Sequence, residues 1–208
     1  MTKDLNFIHR FEPGNRLEAP PLLLLHGTGG DENDLLPLGE AISPGSALLS
    51  PRGQVLEHGM PRFFRRLSEG VFDEDDVRRR ANELADFVEA ARDAYMLAAP
   101  IALGYSNGAN IAAAMLLLRP NVLAGAFLLR AMVPLSETPT AGLRGQPVLI
   151  VSGELDPIIP ASNASRLAGI LTQAGASVQH RTLPLGHQLS QFDLKIAQDW
   201  MKAVSQPA

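Results

Sequence analysis

Short apolar runs and longer stripes spaced by three and four residues take turns along the chain. Leu22-Leu23-Leu24-Leu25 has the length of a buried strand and is cut off after His26 by Gly27-Thr28-Gly29-Gly30. Leu35, Leu38 and Ile42 then recur at helical spacing behind Asp31-Glu32-Asn33-Asp34, whose acids would complement the start of that helix. Ala47-Leu48-Leu49-Ser50 predicts a second strand, stopped by Pro51. Asp73 opens a long predicted helix, with Val77, Ala81, Leu84, Val88, Ala91 and Tyr95 in one stripe. Pro100-Ile101-Ala102-Leu103 reads as a central strand and Asn110 to Leu118 as the helix that follows. Residues 122–129 and Pro147-Val148-Leu149-Ile150-Val151 predict two more strands, separated by a loop over 133–145 that holds Pro134 and Pro139. Ala164, Leu167, Ala168 and Leu171 mark a helix ended by Gly175, and residues 178–183 predict the last strand. Leu189, Phe192, Ile196, Trp200 and Ala203 stripe the final helix. Leu5 to Phe11 alternates weakly, as an edge strand does, before a turn at Glu12-Pro13-Gly14-Asn15. Only residues 52–72 show no period, which predicts an irregular insertion.

Strand and helix alternate throughout, so the expectation is a parallel sheet covered on both faces by helices. No repeat or linker divides the chain, and a single domain over residues 1–208 is expected. Ligands of such sheets sit beyond the carboxyl ends of the strands. Four polar loops begin there: at His26 to Gly30, at Ser106, at Asp156 and at His187. They should converge.

Gly104-Tyr105-Ser106-Asn107-Gly108 lies between a predicted strand and a predicted helix, with a serine at the apex. A serine bent this sharply projects its hydroxyl above the sheet, and there is room beside it only for glycine. Serine is a weak nucleophile at neutral pH and needs a base, which in turn needs an orienting acid. His187 is the histidine on the loop after the last strand, so it is the candidate base. His9 reads as a surface residue of an edge strand, His180 as a solvated strand position, and His58 as part of the insertion. His26 precedes the glycine turn and is expected to hold that loop by hydrogen bonds. Asp156 is preferred over Glu154 as the acid, because Glu154 is closer to the strand. Asp193 and Asp199 read as solvated positions on a helix. The developing oxyanion needs backbone donors, for which Asn107 and Thr28 are the candidates.

Composition narrows the field. With no cysteine, disulfides and thiolate chemistry are excluded, which suits a cytoplasmic setting. A net charge of −4 with scattered basic residues gives no footprint for nucleic acid. The first residues lack the apolar core of a signal peptide, and no apolar run is long enough to span a membrane.

The order Ser106, Asp156, His187 resembles that of the α/β-hydrolase superfamily. More narrowly, the chain resembles the phospholipase/carboxylesterase family, which includes the acyl-protein thioesterases. The matching stretches are Leu25-His26-Gly27-Thr28-Gly29-Gly30-Asp31-Glu32, Gly104-Tyr105-Ser106-Asn107-Gly108-Ala109-Asn110, Gly153-Glu154-Leu155-Asp156-Pro157-Ile158-Ile159-Pro160 and Gly186-His187. Ser50-Pro51-Arg52-Gly53, with Gly59-Met60-Pro61-Arg62-Phe63-Phe64-Arg65-Arg66, is similar to a bacterial subgroup, some members of which are linked to hydroquinone or catechol stress. The resemblance implies an α/β-hydrolase fold with a minimal lid. It implies a serine hydrolase that acts on carboxylic esters without metal or organic cofactor. Thioesters or lysophospholipids are the alternative substrates, and a non-catalytic binding protein on the same scaffold is a more distant one. It also implies Ser106 as nucleophile, Asp156 and His187 as its partners, and Thr28 and Asn107 as oxyanion donors. Met60, Phe63 and Phe64 are expected in an apolar pocket, with Arg62 near a polar group of the substrate. Arg130, after a buried strand, is expected to border the same cleft as a substrate-binding residue and to need a partner, with Asp34 or the insertion as candidates. A small ester is the expected partner, and a homodimer stays open. So small an insertion implies an open site suited to short or medium acyl or aryl groups.

Overall fold

The computed structural model describes residues 5–16, 18–137 and 142–205, so residues 1–4 and Pro139 lie outside the described part. Seven strands form one sheet in the order β1-β3-β2-β8-β9-β10-β11. They are β1 (His9–Glu12), β2 (Leu22–Leu25), β3 (Leu48–Pro51), β8 (Ile101–Tyr105), β9 (Gly125–Leu129), β10 (Pro147–Gly153) and β11 (Ser177–Leu183). Only β1 runs antiparallel, paired at the edge with β3; every other pairing is parallel. The architecture is that of an α/β hydrolase.

The continuous apolar runs reflect strands buried on both faces. Leu23, Leu25, Ala102, Ala126, Leu128, Val148 and Ile150 face one core. Their alternate neighbours Leu22, Leu24, Ile101, Leu103, Phe127, Leu129, Leu149 and Val151 face the other. The first core is closed by α2 (Glu74–Tyr95), α3 (Asn107–Leu118) and α4 (Ala161–Gln173), the second by α1 (Leu36–Ile42) and α5 (Gln191–Val204). The α2 stripe is buried as its spacing requires, and Asp73 caps the helix by accepting the Asp76 N–H.

Three local expectations are corrected. The acids 31–34 form a turn ahead of α1 and do not occupy its first turn; Glu32 instead receives two hydrogen bonds from the Arg52 guanidinium. Residues 52–72 are ordered as two small hairpins, β4 (Val55–Glu57) with β5 (Met60–Arg62) and β6 (Arg66–Ser68) with β7 (Val71–Phe72). Strands of two or three residues are too short to show an alternation. The buried stripe of α5 holds at Leu189, Ile196 and Trp200 but not at Phe192, which is 68% exposed, or Ala203; Asp193, Ala197 and Met201 face inward beside it.

Candidate active site

β2 and β8 are neighbours at the centre of the sheet, and β2 is followed in sequence by a strand on one side of it while β8 lies on the other. That is a topological switch point, and the loops leaving both strands open onto one cleft of about 340 Å³. Ser106 follows β8 with φ 51° and ψ −113°, a conformation side chains rarely hold. The bend is possible because of its glycines. A Cβ on Gly104 would lie 2.6 Å from the Ala109 Cα, and one on Gly108 would lie 2.0 Å from the Leu25 carbonyl oxygen.

The structure brings Ser106, Asp156 and His187 together. The Ser106 Oγ lies 3.0 Å from His187 Nε2, and His187 Nδ1 lies 2.8 Å from Asp156 Oδ2. The other oxygen of Asp156 accepts the N–H groups of Ile158 and Ile159, which fixes the carboxylate on the turn after β10. Glu154 is exposed and takes no part. This line of hydroxyl, imidazole and carboxylate has the geometry in which serine is activated for attack on a carbonyl.

Thr28 and Asn107 both line the cleft beside Ser106. Among the described residues, no protein acceptor takes the backbone N–H of either one. Three successive residues of β5 and its exit hold the surroundings of these two donors. Pro61 accepts the Gly29 N–H through its carbonyl. Arg62 Nη1 donates to Thr28 Oγ1 at 2.8 Å and to Glu57 at 3.2 Å. The Phe63 N–H donates to Asn107 Oδ1 at 2.7 Å.

His26 does what its sequence position suggests. Its Nε2 accepts the Gly53 N–H at 3.0 Å, so Nδ1 carries the proton and donates to the Gly27 carbonyl at 2.7 Å. Burial holds its pKa below the usual 6.5. The unfolded chain therefore binds a proton on acidification that the folded chain resists, and stability present above about pH 6.5 declines as the pH falls toward the folded value. His180, bonded to Ser152 Oγ, is shifted the same way by burial, so it is not a fully solvated position. The urea midpoint is expected to drop between about pH 7.5 and pH 5.5, and His26→Asn to flatten the drop. An unchanged slope in that variant would contradict this assignment of the proton.

The remaining expected site residues divide. Arg62 lines the cleft. Met60 does not; it lies over Gly29, where its sulfur would sit 3.5 Å from an added Cβ. Phe63 and Phe64 are core residues, 3% and 0% exposed, packed against His26 and Phe72. Arg130 is also fully buried and lies outside the cleft, because its guanidinium is paired with Asp193, the residue expected to be solvated. The apolar wall of the cleft instead comes from Phe72, Met132, Ile158 and Ile159. The two isoleucines stand beside Asp156 in sequence, a signal the hydropathy pattern alone did not flag. Asn110 and Tyr105 also line it. The Asn110 side chain is fixed by accepting the Met132 N–H.

A sequence profile of the phospholipase/carboxylesterase family matches residues 9–205. This chain belongs to the phospholipase/carboxylesterase family. Its enzymatic class is therefore that of a hydrolase. Among the family's relatives, MhqD of Bacillus subtilis (strain 168), which its name describes as a hydrolase, is 48% identical over 196 residues, 93% of this chain and 97% of MhqD. The crystal structure of the Bacillus cereus carboxylesterase superposes with a TM-score of 0.93 at 44% identity, covering 95% of this chain and 94% of that one. A carboxylesterase from Mesorhizobium loti is similar at 32% identity and a TM-score of 0.84, with 88% of each chain covered. No described helix is long and apolar enough to cross a membrane.

Proposed function

We propose that the chain is a serine carboxylesterase acting on short or medium acyl or aryl esters through an acyl-enzyme. The observation that carries this reading is the 3.0 Å approach of His187 Nε2 to Ser106 Oγ, with Asp156 2.8 Å behind the same imidazole. Ser106 Oγ adds to the ester carbonyl while its proton passes to His187 Nε2. The carbonyl oxygen becomes an oxyanion, stabilised by the N–H groups of Thr28 and Asn107. The tetrahedral intermediate collapses, the C–O bond to the alcohol breaks, and His187 returns the proton to the departing oxygen. Water then attacks the acyl-serine with His187 again as base, which releases the acid and restores the Ser106 hydroxyl. Asp156 stays ionised and stabilises the imidazolium formed in each half.

The cleft supports the restriction in size. Its volume of about 340 Å³ is near the lower end for small-molecule sites, roughly 300–1,000 Å³. Phe72, Met132, Ile158 and Ile159 give it an apolar wall, and Arg62, Arg66 and Glu69 a polar one. The names of the Bacillus cereus and Mesorhizobium loti relatives point to the same reaction class. With one leaving group and graded acyl chains, acetate and butyrate esters should turn over faster than palmitate. The reverse order would reject the short-acyl reading.

A further inference from the structure

We propose that Arg130 is a positioning residue for His187, and that with Tyr105 it fixes three consecutive carbonyls of the loop carrying the imidazole. The inference rests on the esterase reading, in which His187 is the base.

Arg130 sits at the end of β9 with a left-handed φ of 54° and is completely buried. Its Nε donates to the Gly186 carbonyl at 3.0 Å, and its Nη2 to the Gln188 carbonyl at 3.1 Å. The Tyr105 hydroxyl donates to the carbonyl between them, that of His187, at 3.2 Å. Arg130 Nη1 donates to the Val151 carbonyl at 3.2 Å and to Asp193 Oδ1 at 2.8 Å, and Nη2 reaches Asp193 Oδ2 at 3.1 Å. A guanidinium has five N–H donors. Here each finds one acceptor, two of them directly flanking His187. Asp193 in turn accepts the N–H and hydroxyl of Ser190, which ties the far end of the loop to the start of α5. From the other side the loop abuts the backbone of β10: a Cβ on Gly153 would lie 2.4 Å from the Leu185 carbonyl oxygen.

A buried ion pair is a weak device for stability, since a well-packed apolar pair of similar volume often serves as well. An apolar pair cannot hold the carbonyls of residues 186 and 188. The geometry points to alignment: a general base displaced by about 1 Å loses on the order of 10²-fold in rate. Lysine keeps the charge but concentrates three donors at one point, so it cannot span both carbonyls.

The decisive experiment compares wild type, Arg130→Lys and Arg130→Met/Asp193→Asn. The double variant removes both charges, so no unpaired ion is left buried, and its fold is checked by its melting temperature. We expect kcat for a short aryl ester to fall about 10–100-fold in both. KM should stay within about twofold, because neither position lines the cleft. The strongly deshielded proton of His187 Nδ1, bonded to Asp156, should be seen by NMR in the wild type and be lost or broadened in both variants. Folded variants that keep that signal and keep kcat within about twofold of the wild type would overturn the inference. So would a kcat that recovers in step with the melting temperature of the double variant. If instead the wild type neither hydrolyses esters nor reacts at Ser106 with a fluorophosphonate, the esterase reading itself falls.

Discussion

Ser106→Ala is expected to lower ester turnover by at least about 10⁴-fold while leaving the melting temperature nearly unchanged. Among the described residues the hydroxyl bonds only to His187 Nε2. Removing it leaves the strained backbone at φ 51° intact, since alanine meets the same constraint as serine there. On the esterase reading, what disappears is the atom that would bond to the substrate. The proposed oxyanion donors and the cleft remain, so slow turnover above the rate in water should persist. Labelling by a fluorophosphonate should vanish altogether. Turnover within tenfold of the wild type, or labelling that survives, would mean that another residue carries the reaction.

Gly108→Ala should be among the most damaging single-methyl additions in the chain. The new Cβ would lie 2.0 Å from the Leu25 carbonyl oxygen, 2.4 Å from the Leu25 carbonyl carbon and 2.6 Å from the His26 carbonyl oxygen. All three are backbone atoms where β2 passes into the glycine turn, so none can rotate aside. Either α3 backs away from the sheet or the turn is pushed off, and both separate Asn107 from Thr28. A loss of about 3 kcal/mol or more is expected from overpacking against backbone, together with a fall in turnover. Gly169 is the matching control. It lies in α4, where an added Cβ meets nothing within 4 Å, so Gly169→Ala should stabilise by about 0.5–1 kcal/mol. Equal urea midpoints for the two variants would refute the steric argument.

Much of the fold was readable because burial on both faces leaves strands such as Leu22–Leu25 apolar at every position. The α2 stripe was equally clear, since it covers one core over 22 residues. Ser106, Asp156 and His187 could be picked out because each follows a strand at the carboxyl end of a parallel sheet, where chain order and chemistry coincide. Beyond the hairpin strands, too short to show a period, the misread side chains share one cause: composition does not tell a residue's partner. Phe63 and Phe64 look like pocket residues in an aperiodic stretch, yet the hairpins fold them into the core. Asp193 looks solvated on a helix, yet its pairing with Arg130 holds it inside, on the buried face of α5. Arg130 needed a partner, but nothing local to either residue links positions 63 apart in the chain.

The way β5 lies against the glycine turn and Asn107 has a consequence for how relatives of this enzyme can diversify. Alternation along Pro61, Arg62 and Phe63 places each contact by register, so one residue inserted among them would send the guanidinium to the wrong side. The hairpin tip carries no such contact: its left-handed backbone at Gly59 (φ 82°) favours glycine there, but a Cβ on it would touch nothing within 4 Å, so the surrounding space is open. Lengthening the chain at that tip is therefore a route to new surface beside the glycine turn that leaves the contacts of Pro61, Arg62 and Phe63 undisturbed.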